Sequence, residues 1–298
     1  MVARPSEASA QRSTENFVRT IQRYVCTKTD SYWQLLTTDF RANTNTHRGA
    51  TGTDFTPQGI PMELCESTRQ RLAAVSTATL TTVLFKRGFR NTFMRGVRPI
   101  NASAARMVGP AYTLRYIPAR EDLDHLGVFE DRNHPQRKGI EECPPGNVFV
   151  IDSRGDASAA SAGGILVTRL WKRGAAGVVT DGGFRDTPDI AQLPFPAFQC
   201  VPSAPTNLIK HHAVDLNVPI GCGEVPVYPG DIIVGDGEGV VVIPQLIADE
   251  VADEAFEQSE FEDFVAERVR EGSTIFGLYP PAPEAREEFA RWRTQKAL

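Results

Sequence analysis

Lysine is scarce in this sequence. The chain of 298 residues has 32 lysines and arginines, of which only six are lysine. An enzyme that forms a Schiff base with a carbonyl substrate needs a lysine amine in an apolar pocket. Here Lys172 lies in a polar patch, Lys28 and Lys296 lie near the termini, and no lysine lies in an apolar strand. The sequence therefore disfavours Schiff-base chemistry.

Cysteine is also sparse, and the five cysteines are far apart. A disulfide framework or a zinc knuckle needs paired or closely spaced cysteines, and this sequence has no C-x-x-C pair. We therefore expect reduced thiols, most of them buried. The cysteines are Cys26, Cys65, Cys143, Cys200 and Cys222.

Long apolar runs are missing. No segment approaches the ~18 apolar residues of a transmembrane helix, and the first residues, MVARPSEASAQRSTENF, lack the apolar core of a secretory signal. The net charge is −5 and the isoelectric point is about 5.6, so no basic excess favours nucleic acid or an anionic membrane. We expect a cytoplasmic protein with a small-molecule ligand and neither nucleic-acid nor membrane partners.

The familiar catalytic motifs are missing as well. The sequence has no H-E-x-x-H, P-loop or G-x-S-x-G. GDGEGV at 235–240 has glycines, but a strand follows them, so no helix N-terminus is available for a pyrophosphate and a hairpin turn is predicted. His211-His212 is predicted to lie on a surface helix, where neighbouring side chains point ~100° apart and cannot easily share one metal ion.

The sequence does contain a pattern of alternating helices and strands. Residues 41–59 are rich in Asn, Thr and Gly without hydrophobic periodicity, which predicts an N-terminal arm over 1–60 that either wraps a neighbouring subunit or remains mobile. The main domain, 61–298, is predicted to be α/β with a mixed sheet and C-terminal helices. The predicted helices are 63–87, 161–173, 245–271 and 283–293, and the predicted strands are 107–117, 144–152, 176–181, 195–200 and a hairpin at 229–244.

Arg185-Asp186 is the strongest candidate site. The strand AGVVTDG leads to this pair at the strand's C-terminal end, where α/β proteins commonly bind ligands. Arginine offers a planar fork for a carboxylate, and aspartate offers a hard oxygen for Mg²⁺ or Mn²⁺. Ala162-Gly163-Gly164 opens a helix whose free N–H groups would receive an anion. The pattern predicts a site for a small 2-oxo acid beside a cation, unless the pair merely caps its loop through local hydrogen bonds.

The segment AGGILVTRLWKRGAAGVVTDGGFRD resembles the signature of a known family. That family contains regulator of ribonuclease activity A and the 4-hydroxy-4-methyl-2-oxoglutarate/4-carboxy-4-hydroxy-2-oxoadipate aldolases. MVGPAYTLRY and PGDIIVGDGEGVVVIP resemble its flanking strands, and the resemblance covers roughly residues 62–275. It implies a three-layer β/β/α swivelling-domain fold, assembled as homotrimers or as hexamers.

The resemblance also implies a reaction and a set of site residues. The aldolases use Mg²⁺ or Mn²⁺ in retro-aldol cleavage that releases pyruvate, and they decarboxylate oxaloacetate. Arg185 would bind the carboxylate and oxo group, Asp186 would ligate the metal, and Glu262 from a neighbouring subunit would lie near that metal. Backbone N–H groups would receive the substrate carboxylate at Gly163, Gly164, Ile165 and Leu166.

This chain departs from the aldolase pattern at Gly164. The aldolases carry an acid twenty-one positions before the site arginine, and that acid orients a water that serves in proton transfer. Its loss would cost ~10²–10⁴ in rate unless another acid, Asp152 or Asp156, replaces it. Three hypotheses follow: a metal-dependent 2-oxo-acid lyase, a related lyase or hydrolase with another proton donor, and a non-catalytic oligomeric binding or regulatory protein. The segment 136–142 either adds specificity contacts or is exposed charge on a loop.

Overall fold

The computed structural model describes residues 64–296, so the predicted arm over 1–60 lies outside the described residues. The helices are α1 (Glu66–Ala74), α2 (Thr77–Lys86), α3 (Pro135–Glu142), α4 (Gly164–Lys172), α5 (Thr187–Ile190), α6 (Ala248–Arg270) and α7 (Pro283–Lys296). The strands are β1 (Arg98–Pro99), β2 (Met107–Pro118), β3 (Val148–Asp152), β4 (Ala160–Ala162), β5 (Gly177–Thr180), β6 (Gly183–Phe184), β7 (Ala197–Gln199), β8 (His211–Leu216), β9 (Ile220–Cys222), β10 (Val225–Val227), β11 (Ile232–Gly235) and β12 (Val240–Ile243).

The main sheet is mixed and is built around the long strand β2. Its order is β1-β7-β5-β3-β2-β11-β12, and β8 also pairs with β2. Strands β2, β3, β5 and β7 run parallel, whereas β1, β8, β11 and β12 are antiparallel to their neighbours. The predicted α/β class with a mixed sheet and C-terminal helices is therefore confirmed.

Three layers follow from the alternation of side chains along the buried strands. In β3, Val148 and Val150 enter one core and Phe149 and Ile151 enter the other, as the two-residue period of a strand requires. The first core also takes residues of β9 and β10, and the second takes residues of α3 and α4. The sheet is thus covered by a β-hairpin on one face and by these two helices on the other.

The predicted helix over 63–87 is two helices in the structure. Ser76 adopts an extended conformation between α1 and α2, and its hydroxyl accepts a hydrogen bond from the Thr79 N–H at 3.1 Å. Serine is a strong N-cap because its side chain satisfies a free N–H of the first turn, so it begins a new helix here. The helical period continued through this break and concealed it. Gly88, with φ +92°, lies just beyond α2 as predicted.

The prediction for His211-His212 was wrong. These residues begin β8 rather than a surface helix, and His211 is fully buried with its ring stacked on Tyr116 at 5.2 Å between centroids. Successive side chains of a strand point to opposite faces, so the two imidazoles do not form a metal pair. His212 Nδ1 instead contacts the Asp124 carboxylate at 2.7 Å.

The four cysteines in the described part of the chain are free thiols, as expected. Cys143 and Cys222 are buried, Cys200 is half-buried, and Cys65 is exposed. Burial raises the pKa of the Cys143 thiol to about 12, so it remains protonated at neutral pH. Among residues 64–296 no helix is both long enough and apolar enough to cross a membrane.

The C-terminal helices carry a small aromatic core of their own. Phe264 of α6 and Trp292 of α7 pack at 5.8 Å between ring centroids, together with Phe261, Phe289 and Leu278. The indole N–H of Trp292 donates to the Glu267 carboxylate at 3.1 Å. This cluster is separate from the cores on either side of the sheet.

Candidate functional site

Two short parallel strands bring the ends of the signature segment together. In β4 and β6, Ala160 pairs with Gly183 and Ala162 pairs with Phe184. The Arg185 N–H then donates to the Ala162 carbonyl at 3.1 Å. The chain therefore leaves β4 towards α4 beside the point where it leaves β6 towards α5, although some twenty residues separate the two points in sequence.

Asp186 closes this junction. Its φ is +59°, which is unusual for a residue other than glycine and is strained unless local contacts hold it. The Asp186 Oδ2 accepts a hydrogen bond from the Gly164 N–H at 3.0 Å and lies 3.5 Å from the Arg185 Nε. Both side chains are nearly half exposed. A carboxylate thus lies at the N-terminus of α4, where the helix dipole favours negative charge.

The two glycines of the junction accommodate this close approach. A Cβ on Gly163 would lie 3.0 Å from both the Arg185 Cγ and the Asp186 Oδ2. A Cβ on Gly164 would lie 3.1 Å from the Asp186 Cβ, which is tighter than ordinary contact. The acid that the aldolases carry at position 164 would therefore press its side chain against Asp186. In this chain a glycine permits the contact between Asp186 and the helix.

The N–H groups expected to receive a substrate carboxylate are partly occupied. The Gly164 N–H donates to Asp186, and the Leu166 N–H donates to the Gly163 carbonyl at 3.0 Å. The Ile165 N–H has no hydrogen-bond partner among the described residues. The Gly163 N–H also donates no described hydrogen bond, so a substrate carboxylate would find free donors at Gly163 and Ile165 and would have to displace the Asp186 carboxylate to reach Gly164.

A shallow depression of about 310 Å³ lies beside the junction. Three of the residues that line it, Thr168, Asp189 and Ile190, were not singled out from the sequence. Asp189 lies three residues after Asp186 around the first turn of α5, so both carboxylates face the same depression. The D-x-x-D spacing was the signal that could have identified Asp189. The lining residues are Gly164, Ile165, Thr168, Asp186, Asp189 and Ile190.

Glu262 lies apart from the junction within its own subunit. It is on α6, where its carboxylate accepts hydrogen bonds from the Thr79 hydroxyl and the Gln258 amide, each at 2.7 Å. Its predicted position beside the metal of a neighbouring subunit stays a prediction. Within residues 64–296, no group of three or more His, Cys, Asp or Glu side chains is arranged to hold a metal ion.

The two acids considered as replacements at position 164 make their hydrogen bonds elsewhere. The Asp152 carboxylate accepts from the Arg154 N–H at 2.8 Å, and the Asp156 carboxylate accepts from the Ser158 N–H at 2.9 Å. Among the described contacts, neither carboxylate reaches Gly164 or Asp186. The structure therefore does not bring them to the junction.

Asp181 is a buried acid next to the site that sequence reasoning did not identify. Its carboxylate accepts from the backbone N–H groups of Ser153 at 2.7 Å, Gly155 at 3.0 Å and Gly223 at 3.4 Å. Burial raises the pKa of the Asp181 carboxyl. Because the three donors are backbone groups of two connections, the loop at 153–155 and the turn at Gly223, Asp181 has a structural role in holding the loop that leads to Arg185.

The segment 136–142 is helix α3 rather than an exposed loop. Gln136 is buried, and its amide donates to the Tyr116 hydroxyl and to the Ser161 carbonyl, each at 2.9 Å. Glu141 is exposed and pairs with Arg169 of α4 at 2.8 Å. The prediction of exposed charge is therefore right for Glu141 but wrong for Gln136. The buried Gln136 side chain fixes α3 against the strand that leads into Gly163.

Comparison with known proteins places this geometry in a family. The RraA-like family model, described as Aldolase/RraA, matches residues 73–242, which is more than half of the chain. A Halalkalibacterium halodurans protein, provisionally named a 4-hydroxy-4-methyl-2-oxoglutarate aldolase, is 38% identical over 149 residues. That alignment covers 50% of this chain and 64% of the relative, slightly less than two thirds of its length.

Two further relatives agree with this match. The 4-hydroxy-4-methyl-2-oxoglutarate aldolase of Thermus thermophilus is 33% identical over 120 residues, covering 40% of this chain and 72% of the enzyme. Streptomyces coelicolor RraAS2, an unusual member of the RNase ES inhibitor RraA protein family, superposes with a TM-score of 0.60 at 29% identity. That superposition covers 68% of this chain and 97% of RraAS2. The chain belongs to the RraA-like family, Aldolase/RraA.

Proposed function

We propose that this protein is a lyase that releases pyruvate from 2-oxo acids, by retro-aldol cleavage, by decarboxylation of oxaloacetate, or by both. The observation that carries the proposal is the junction itself, where Arg185 and Asp186 lie against the N-terminus of α4 beside an open depression. The names of the aldolase relatives support the same reaction class.

Arg185 is proposed to bind the substrate. Its Nε faces Asp186, while its terminal nitrogens have no ion-pair partner among the described residues. A guanidinium presents parallel N–H donors to two oxygens, which suits the carboxylate and oxo groups of a 2-oxo acid. In retro-aldol cleavage the C3–C4 bond breaks, the C4 hydroxyl loses its proton, and the electron pair moves to the C2 oxygen. Arg185 would stabilise that developing negative charge until C3 accepts a proton to give pyruvate.

Mg²⁺ or Mn²⁺ is the proposed cofactor, with Asp186 as its ligand. Asp186 Oδ1 takes part in no described hydrogen bond, and the open depression beside it leaves room for waters and a substrate. Mg²⁺ is commonly held by one or two carboxylates together with waters and substrate, so this donor set fits it. A bound divalent ion would supply a Lewis acid for the C2 oxygen. Glu262 of a neighbouring subunit is a further proposed ligand.

Asp189 is the proposed acid–base group in place of the missing acid at position 164. It is exposed and lines the depression together with Gly164 and Asp186. A proton could therefore be exchanged between Asp189, directly or through a water, and a substrate held by Arg185. Neither Asp152 nor Asp156 is placed to do this, because their hydrogen bonds lie in other turns.

A non-catalytic role in an oligomeric binding or regulatory protein is the second candidate. Two observations favour it. Position 164 has no acid, and Ile165 beside it is 84% exposed, which suits a contact with another protein better than a contact with a small polar acid. The proposed assembly in either case is a homotrimer or a hexamer, in which a neighbouring subunit would approach the junction.

Pyruvate release tests the proposal. It is measured from oxaloacetate and from 4-hydroxy-4-methyl-2-oxoglutarate, in Mg²⁺, in Mn²⁺ and in excess EDTA. We expect metal-dependent turnover that falls roughly 100-fold or more in Asp186→Ala and Asp189→Ala. The matched control is Glu257→Ala, an exposed acid on α6 that should keep wild-type activity.

Each outcome decides something. Turnover that persists in EDTA overturns the proposed metal dependence. Unchanged turnover in Asp186→Ala overturns the proposed site. A silent wild type with an active Gly164→Asp variant would identify a site inactivated at one residue. Silence from every variant with both substrates favours the binding protein.

A further inference from the structure

Strand β4 has one edge that faces the protein interior without a neighbouring strand. On its other edge β4 pairs with β6, and the Ala162 carbonyl accepts from the Arg185 N–H on that side. Successive carbonyls of a strand point to opposite edges, so those of Ala159 and Ser161 point away from β6. A buried carbonyl without a hydrogen bond is costly, and no strand of the described chain pairs with this edge. Other groups must therefore satisfy these two carbonyls.

Three buried side chains take the place of the missing strand. The Tyr116 hydroxyl of β2 donates to the Ser161 carbonyl at 2.8 Å, and the Gln136 amide of α3 donates to the same oxygen at 2.9 Å. His211 Nε2 of β8 contacts the Ala159 carbonyl at 3.1 Å. Each of the three residues is at most 1% exposed. This edge of β4 is therefore held by side chains from three separate elements.

The contacts at Ser161 fix the orientation of the peptide group that leads towards α4. The Ser161 hydroxyl is held separately, by the Thr180 hydroxyl at 2.6 Å and the Ser153 hydroxyl at 2.7 Å. The two donors to the Ser161 carbonyl therefore oppose rotation of the peptide plane between Ser161 and Ala162. The next peptide group contains the Gly163 N–H, which donates no described hydrogen bond. A rotation at Ser161 would thus change the direction of the first free donor of the junction.

The Arg185 half of the junction has supports of its own. The Phe184 N–H donates to the Gln199 side-chain oxygen at 2.7 Å, and the Phe184 carbonyl accepts from the Ser203 N–H at 2.9 Å. These contacts hold β6 independently of the donors to the β4 carbonyls. Loss of those donors would therefore displace the start of α4 more than it displaces Arg185.

We propose that Tyr116 and Gln136 are positioning residues, which hold the free N–H groups of Gly163 and Ile165 where they receive the substrate carboxylate. This inference rests on the proposed function of the junction. The carboxylate next to the oxo group does not react, so its contacts stabilise the ground state and the transition state alike. Displaced donors would therefore raise KM and leave kcat nearly unchanged.

The test measures KM and kcat for pyruvate release from oxaloacetate in Mg²⁺. Tyr116→Phe and Gln136→Leu each leave the Ser161 carbonyl with one donor, so each should raise KM about 2- to 3-fold. The double variant leaves a buried carbonyl without a donor and should raise KM roughly 10- to 100-fold, with kcat changed less than about 3-fold.

The matched control is Thr113→Val, which also removes a buried hydroxyl from β2. The Thr113 hydroxyl donates to the Val218 carbonyl at 2.6 Å, which does not belong to β4. The control should lose about as much free energy of unfolding as Tyr116→Phe and should keep the wild-type KM. The single variants decide the question if the double variant does not fold. A lower kcat with an unchanged KM, or an equal rise of KM in Thr113→Val, overturns the inference.

Amide hydrogen exchange separates this inference from the proposed function. If the wild type releases no pyruvate, the lyase fails, but the Gly164 N–H, which donates to Asp186, still reports the position of the first turn of α4. Its exchange should be roughly 10-fold or more faster in the double variant than in the wild type, and about 3-fold faster in Tyr116→Phe. The Phe184 N–H on the β6 side should keep its rate. Unchanged exchange at Gly164, or equal acceleration at Phe184 or in Thr113→Val, overturns the positioning role.

Discussion

Gly109 shows how closely single residues are fitted in this fold. It lies in β2, where a Cβ would be 2.3 Å from the Gly146 carbonyl oxygen and 3.1 Å from the Ala176 Cβ. Both neighbours belong to the turns that precede β3 and β5. A side chain at position 109 would therefore force these turns away from the sheet, because packed interiors do not yield freely.

Gly109→Ala should destabilise the protein by about 3 kcal/mol, the upper part of the range for overpacking a well-packed core. The free energy of unfolding in urea measures this. The control is Gly221→Ala in β9, where no atom lies within 4 Å of the added methyl and φ is not positive, so a change within about 0.5 kcal/mol is expected. Equal effects of the two substitutions would contradict the packing argument.

At the residue scale, the sequence predicted only those site residues whose positions are set by their neighbours along the chain. Arg185 and Asp186 follow a buried strand directly, and the glycines at the start of α4 are visible in the sequence. The buried position of Gln136 was not predictable, because it depends on tertiary contacts with Tyr116 and Ser161. The partial occupation of the Gly164 N–H by Asp186 could not be anticipated either, since it requires a positive φ at Asp186.

At the scale of elements, the hairpin of β11 and β12 depends on a buried acid. Asp231 precedes β11, and its carboxylate accepts from the Tyr228 N–H at 2.9 Å and the Gln245 N–H at 3.3 Å. Burial raises the pKa of Asp231 to about 6, above the ~3.9 of an unfolded aspartate. Between these two pH values the folded protein binds more protons than the unfolded chain.

The contribution of Asp231 to the free energy of unfolding is therefore fully present below about pH 4. It is lost as the pH rises through about 6, and the loss amounts to about 3 kcal/mol. Asp231→Asn stays neutral and should not show this loss. Unfolding free energies of the two proteins between pH 4 and pH 7 measure the difference. Asp263→Asn, an exposed acid on α6, should leave the wild-type pH profile unchanged. Parallel profiles for the wild type and Asp231→Asn would refute the argument.

Strands and hairpins were predicted better than helix boundaries. The strands β2, β3, β5, β11 and β12 were identified because apolar residues run through them between turn residues, and both faces of these strands are buried. The break at Ser76 was missed because the helical period continues across it. Helix α3 was missed because its mean composition is polar and its burial is confined to Gln136, Gly139 and Ile140. Its helical state is set by packing on the sheet rather than by propensity.

At the scale of the whole molecule, α7 is attached through an aromatic cluster that is independent of the main cores. Trp292→Ala should detach α7, since removing a buried tryptophan costs about 3–5 kcal/mol. We expect proteolytic cleavage in the connection 272–282 to accelerate roughly 100-fold while the main urea transition keeps its midpoint. The control is Arg291→Ala, an exposed neighbour. If Trp292→Ala also lowers the midpoint of the main urea transition, α7 belongs to the same cooperative unit as the rest of the described chain.

The central place of β2 has a consequence for synthesis of the chain. Its first residues pair with β11, and its last residues pair with β8, so the strand is made long before its antiparallel partners. At ~5–20 residues per second, the ribosome needs roughly 6 to 23 seconds between the end of β2 and the start of β11. During that time the parallel side can assemble, while the other edge of β2 presents unpaired N–H and C=O groups. A nascent chain with this open edge is the species that would aggregate, or that a ribosome-associated chaperone would have to cover.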